Sequence, residues 1–480
     1  MAINRRAWLQ HSACGFGSLA FSALLQGRSG LARDRSASSD PTLPMGLHHR
    51  PRAKRMIFLF MQGGPSQVDT FDYKPLLAQR HGEAIDFNDD RTRARSGNTQ
   101  STQKVMQSPW NFQQYGQTGR WVSALFPRVA TQIDSLCMIH SMHTEGVAHG
   151  PATLFLHCGA MNVVRPSVGA WIQYGLGSEN ENLPGFVTIA PSAGNGGPRN
   201  YGAAFLPAQM QGTPIGRPGS EDLSIRNLAH APKRDGASRQ HLELIQRLSG
   251  AQRAFSAETS RDPSTPYEAI LRSYELAWGM QQEAPEVFDL RSETQQTLEM
   301  YGIGAAQTSA FGRQCLLARR LCEAGVRYIQ VNYGDNSANP AWDQHSDLPQ
   351  HAAHAQRVDQ PIAALLADLR QRGLLDDTLV WWGAEFGRTP YAQDNGTGRD
   401  HNPSGFTMWL CGGGVRAGLT YGATDAFGHQ AIEDKVHMHD LHATILHLLG
   451  IDHTRLTYPY AGREFRLTDV HGRVIDALLA

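Results

Sequence analysis

In RMIFLFM (Arg55–Met61) the run after Arg55 is apolar throughout, too short for a helix of usual length, and stops at the pair Gly63 and Gly64. A strand without polar alternation keeps neither face in water, which is the condition of a buried strand in a parallel sheet. A second run of this kind, TLVWWGAE, ends on the carboxylate of Glu385. Between and beyond them the pattern alternates. FGRQCLLARRLCEAG (Phe311–Gly325) reads as a helix with a glycine stop and VRYIQVNYG as a strand. VDQPIAALLADLRQRGLL reads as a helix, FTMWLCGGG as a strand, and HDLHATILHLLGI (His439–Ile451) as a closing helix. Such alternation predicts an α/β fold, a mostly parallel sheet with helices on both faces.

The first residues carry a different signal. Arg5 and Arg6 precede an apolar, small-residue stretch ending near Leu25, so residues 1–33 are expected to be a twin-arginine export signal and residues 34–52 a polar linker. Export to the periplasm or beyond follows, with no membrane span once the signal is removed. The folded part is expected over 53–480, with a loop-rich and helical insertion around 190–300. Residues from Gly82 to Gln117 read as an excursion loop. Lys plus Arg and Asp plus Glu both number 44, so no basic field argues for nucleic acid. The six cysteines form no C-x-x-C pair, which argues against a zinc ribbon or a redox motif.

Polar groups capable of chemistry gather at expected strand ends. After Arg55–Met61 come Ser66 and Asp69; Ser66 is placed either to attack a substrate or to cap the next turn. The segment MHTEGVAHGPA brings His143, Glu145 and His149. NPAWDQHSD follows the strand VRYIQVNYG, and its Asp343 and His345, two apart, are able to aim at one ion. Glu385 ends its strand, Arg388 stands three residues on, and Asp400 and His401 follow on the next loop. Carboxylates with imidazoles suit a divalent ion such as Zn, Mn, Fe or Ca, and an arginine beside them suits the oxygens of a phosphate or sulfate. His437, His439, His442 and His447 are read mostly as solvated or capping residues.

With these segments the chain resembles the domain-of-unknown-function 1501 family, exported sulfatase-like proteins of the alkaline-phosphatase-like superfamily. The likeness runs from IFLFMQGGPSQVDTFDYKP through PSVGAWIQYGLGSENENLPGFV, RGLLDDTLVWWGAEFGRTP and GRDHNPSGFTMWLCGGG to YGATDAFGHQAIEDKVHMHDLHATILHLLGIDH. It implies an alkaline-phosphatase-like fold. Within the superfamily DDTLVWWGAEFG is similar to the strand that ends in a metal aspartate followed by Asn or His; Glu385 takes the carboxylate position and Phe386 the next. AHGPATLFLHCG is similar to the nucleophile loop, with His149 where Cys or Ser stands. No Cys-x-Pro-x-Arg occurs in the chain, so formylglycine chemistry is not expected.

The expectation is therefore a metal-dependent hydrolase of sulfate or phosphate esters, acting on an anionic ester or a sulfated glycan. Asp343, His345, Glu385, Asp400 and His401 are the expected metal ligands, with Ser66 or His149 as nucleophile and Arg388 to neutralise the transferred group. The alternative is a non-catalytic binding protein on a degenerated hydrolase fold, with Trp342, Trp381, Trp382 and Trp409 offered either to a glycan or to the core.

Overall fold

The computed structural model describes residues 46–87, 102–224, 247, 266–393 and 396–480, with the side chains of 266–272 left aside. The expected export signal and the RQHLELIQRLSGAQRAF stretch of the insertion lie outside these residues, Arg247 apart.

A nine-stranded sheet forms the centre. Its strands are β1 (Arg55–Met61), β2 (Leu136–His143), β3 (Phe186–Ile189), β4 (Thr213–Ile215), β5 (Tyr328–Tyr333) and β6 (Thr378–Gly383). A hairpin of β7 (Gly387–Gln393) and β8 (Gly398–Asn402) stands apart from it, and β9 (Phe406–Cys411), β10 (Thr420–Tyr421) and β11 (Val436–His437) complete the sheet. The spatial order is β10-β2-β9-β6-β1-β5-β3-β4, with β11 also on β2. As its composition requires, β1 lies between parallel β6 and β5 and is buried along its whole length. Among the described strands of the sheet β9 alone runs antiparallel to its neighbours, a reversal that apolar patterning does not encode.

Alternate residues of β1 feed two cores. Ile57, Leu59 and Met61 pack with α4 (Ser309–Glu323) and α5 (Gln350–Gln371). Met56, Phe58 and Phe60 pack with α1 (His149–Cys158), α2 (Val168–Leu176) and α6 (Met438–Leu448). A further helix, α3 (Pro266–Phe288), follows the segment outside the described residues. Each fully buried side chain of this size contributes about 1.5–3 kcal/mol. The two-sided core is why the strand needs no polar residue.

Several expectations change. The 82–117 stretch carries short antiparallel ladders, Ala84–Asp86 with Thr102–Lys104 and Phe112–Tyr115 with Arg120–Ser123. The expected insertion contributes β4 to the edge of the main sheet. Helix α5 begins at Gln350, ahead of the expected Val358, and continues through Pro361. Trp342, Trp381, Trp382 and Trp409 are all buried, which assigns them to packing; Trp381 stacks on Phe58 and Trp382 on Trp409. His437 does cap α6, accepting from the His439 amide while Asp440 accepts from its own. His439 and His442 are buried, not solvated, and His442 Nε2 donates to the Leu156 carbonyl at 2.8 Å. Cys137, Cys158, Cys315, Cys322 and Cys411 are buried and unpaired. No described helix is long and apolar enough to cross a membrane.

Candidate functional site

The carboxyl ends of β1, β5 and β6 open on one edge of the sheet, where ligands of open α/β folds bind. Loops from these ends, the first turn of α1 and the β7–β8 hairpin bring His149, Asp343, His345 and His401 together. One ligand atom from each lies within 4.8 Å of all the others.

The loop after β1 makes this convergence possible. Gly63 has φ +108°, and a side chain there would meet the backbone amides of Trp342 and Asp343 at 2.8 Å. The bare backbone lets the Asp343 loop lie against β1, with the Trp342 amide on the Gln62 carbonyl at 3.2 Å. Similarly, a Cβ on Gly398 would fall 2.2 Å from the carbonyl carbon of His345. Gly398→Ala is therefore expected to force hairpin and loop apart, at about 1–3 kcal/mol of stability. It is also expected to weaken ion binding at least about 10-fold, as loss of a ligand's support typically does. Urea denaturation and an ion titration of the variant check both.

Asp343 is the centre of the cluster. Its Oδ1 lies 2.8 Å from His345 Nε2, 3.2 Å from His401 Nε2 and 2.8 Å from Arg388 Nη2. The two Nε2 atoms of His345 and His401 are 3.0 Å apart. Ligands held about 2.0–2.1 Å from one ion are separated by about 2.9 Å at right angles and about 3.4 Å in a tetrahedron, so this triangle has the size of a coordination face.

The remaining ring nitrogens set the tautomers. His401 Nδ1 lies 2.8 Å from the Val147 carbonyl oxygen, His149 Nδ1 lies 2.7 Å from Glu385 Oε1, and His345 Nδ1 meets Gln393 Oε1. Each of these oxygens accepts a hydrogen bond from Nδ1–H, so in the neutral ring Nε2 keeps a lone pair facing Asp343. His149 Nε2 is buried, with Asp343 Oδ2 3.1 Å away. A buried imidazole nitrogen brought this close to a carboxylate is placed to share an ion with it.

In the ion-free site the electrostatics set His149 and His401 apart. Burial alone would raise the carboxyl of Asp343, but His149, His345, His401 and Arg388 outweigh it and hold Asp343 well below the usual carboxylate range. Burial pushes His401 down to about 4, keeping it neutral. For His149 burial acts downward too, yet the carboxylates of Asp343 and Glu385 prevail and raise it above 6.5. A raised histidine stabilises the ion-free fold fully below pH 6.5, and that contribution is lost as pH rises through the folded value. Chelator-treated protein should therefore lose stability from about pH 6.5 upward, relative to a His149→Asn variant. Ion-loaded protein should gain over the same range, because the ligand must be unprotonated. Thermal denaturation in both states measures the crossing slopes.

The other expected site residues lie around this cluster rather than in it. Glu385, fully buried, orients His149 and accepts the Gly63 amide at 2.9 Å, while its Oε2 has no partner. Asp400 Oδ1 stands 3.7 Å from His345 Nδ1 and accepts the His401 amide at 2.8 Å. Arg388, expected to face a transferred group, is fully buried and donates to the carbonyls of Gly63, Gly64 and Arg399 besides pairing with Asp343. Ser66, expected as a nucleophile, stands ahead of the short helix Gln67–Thr70; its hydroxyl donates to Asp69 and its amide to His351 Nε2. Asp69 in turn pairs with Arg399. Phe386 stacks on His401 with ring centroids 4.3 Å apart, an apolar wall where relatives are expected to carry a ligand. The supports Val147, Gln393 and Gln67 gave no sequence signal: Val147 acts through its backbone, Gln393 through its side-chain amide, and Gln67 holds the backbone of Arg388 by accepting its amide at 2.8 Å and donating to its carbonyl at 2.8 Å.

No curated protein matches this sequence. Solved structures it resembles include Ps i-CgsB in complex with k-i-k-neocarrahexaose, at 10% identity and a TM-score of 0.37, with 83% of this chain and 72% of that one covered. The lipoteichoic acid synthase LtaP from Listeria monocytogenes is 8% identical with a TM-score of 0.36, over 88% and 78% of the two chains. A TAB5 alkaline phosphatase mutant with Mg bound is 12% identical with a TM-score of 0.31, over 75% and 92%. At these values the likenesses say nothing about activity. The sequence itself is decisive about kinship: residues 53–479 match the family described as protein of unknown function (DUF1501), and the chain belongs to that family.

Proposed function

We propose that this chain is an exported, metal-dependent hydrolase of sulfate or phosphate esters, holding one divalent ion on Asp343 and on Nε2 of His149, His345 and His401. The observation that carries the reading is the orientation of three imidazoles, each tied through Nδ1 to an oxygen and each turning Nε2 to the same carboxylate. Three nitrogen donors favour Zn, Mn or Fe over Ca, which prefers oxygen. Such an ion, when bound, polarises an ester oxygen and lowers the pKa of a water. The chain's own contribution is to orient the ligands: Glu385 fixes His149, Arg388 fixes Asp343, and Phe386 keeps water from one side of His401. The engagement of Ser66 with Asp69 supports water over a serine as the attacking group.

One observation favours the rival, a binding protein. Arg388 is wholly engaged with protein oxygens, leaving an anionic group without the arginine fork expected for it. The test is elemental mass spectrometry of the purified protein, followed by hydrolysis of p-nitrophenyl sulfate, p-nitrophenyl phosphate and a sulfated glycan. About one ion per chain and hydrolysis lost with chelator are expected. A stoichiometric ion without turnover of any ester would move the assignment to the binding protein, and no ion at all would end both the ligand set and the hydrolase.

A further inference from the structure

A cavity of about 390 Å³ opens beside the ion cluster, at the carboxyl end of β5. This is within the roughly 300–1,000 Å³ typical of small-molecule sites. Gln314 and Phe311 of α4, Tyr333 at the end of β5, Ala341 beyond it, and His354 and Arg357 of α5 line it. Ala341 precedes Asp343 by two residues, and the buried Trp342 stands between. Its ring contacts Tyr333 at 6.0 Å and His354 at 5.5 Å between centroids, so one side-chain layer separates the cavity from the cluster.

The lining defines the ligand's chemistry. Gln314 is only 3% exposed and its Oε1 has no hydrogen-bond partner, so it calls for a donor such as a hydroxyl. Arg357 brings a guanidinium to the same space, hydrogen-bonded to the Tyr333 hydroxyl, which also lies 2.7 Å from His354 Nδ1. A guanidinium in a cleft favours an oxyanion. Phe311 and Tyr333 meet edge to face, with centroids 5.4 Å apart, and give an apolar wall. Asp335, also at the cavity, accepts hydroxyls and disfavours a second anionic group.

We propose that this cavity is an accessory binding site for a sugar-sized ligand that combines hydroxyl donors with one oxyanion. It is distinct from the ion cluster and places such a ligand one tryptophan away from it. Carboxylate, sulfate and phosphate share this chemistry, and the experiment separates them.

The experiment is calorimetric titration of the full chain, kept in chelator, with D-glucuronate, D-glucose 6-sulfate, D-glucose 6-phosphate and D-glucose. At least one charged sugar is expected to bind about 10-fold or more tightly than glucose. Arg357→Met, an exposed change, is expected to remove that preference. Ala310→Phe, filling the cavity from the first turn of α4, is expected to remove binding altogether. Asp343→Asn is expected to bind as the natural chain does, which separates this site from the hydrolase reading. Absence of binding by all four probes, equal binding of glucose, an unchanged Arg357→Met, or loss in Asp343→Asn would each overturn the proposal.

Discussion

Asp343→Asn should lower ion content from about one per chain to under about a tenth, with apparent affinity falling at least about 100-fold. Its Oδ1 is approached by three positive or ligating partners within 3.2 Å, and an amide supplies neither the charge nor the second oxygen acceptor. An ion present at a hundred times its dissociation constant stabilises the fold by about 2.7 kcal/mol, and the variant forfeits that too. Asp343→Ala should cost more, because it strands the charge of the fully buried Arg388 and also removes the oxygen that an asparagine would still offer its guanidinium. Breaking a buried pair in this way costs about 3–5 kcal/mol. Elemental mass spectrometry and denaturation with and without chelator separate the two terms. An Asn variant that kept a stoichiometric ion would remove Asp343 from the ligand set.

Asp69→Ala is the second large effect, expected at about 3–5 kcal/mol of global stability with no contact to the ion. Asp69 and Arg399 are both fully buried, with Nε at 2.7 Å from Oδ2 and Nη2 at 3.2 Å from Oδ1. The same guanidinium donates to the carbonyls of Thr389, Met106 and Gln107, so its loss of a partner is felt in two further segments. Arg399 directly precedes Asp400 and His401 on β8, so the variant should also bind the ion more weakly. A double variant, Asp69→Leu with Arg399→Met, should recover most of the stability, since apolar groups of similar volume avoid the cost of stranded charge. Urea denaturation of the three proteins measures this. Asp69→Ala within about 0.5 kcal/mol of the natural chain would show the pair to be dispensable.

Legibility of the fold and the site followed scale. The apolar runs of β1 and β6 announce themselves because burial on both faces forbids polar residues at every position. Asp343, His345 and His401 were legible because short polar clusters follow such runs, and strand ends gather at one edge. The roles of Arg388 and Ser66 were not, because a guanidinium three residues after a carboxylate looks the same whether it faces substrate or the carbonyls of Gly63 and Gly64. His439 and His442 misled for a related reason: imidazole suits both water and a buried backbone acceptor such as Leu156.

By itself the sequence determined the α/β class, the main strands and helices, and which segments carry polar side chains at strand ends, since these depend on local hydrophobic pattern. Only the tertiary structure decided the antiparallel course of β9, the convergence of His149, Asp343, His345 and His401 from one loop, one hairpin strand and one helix start, and the pairing of Glu385 with His149. These depend on contacts between segments more than 200 positions apart, such as His149 with Glu385 at 236, and pairwise geometry at that separation leaves no trace in local pattern.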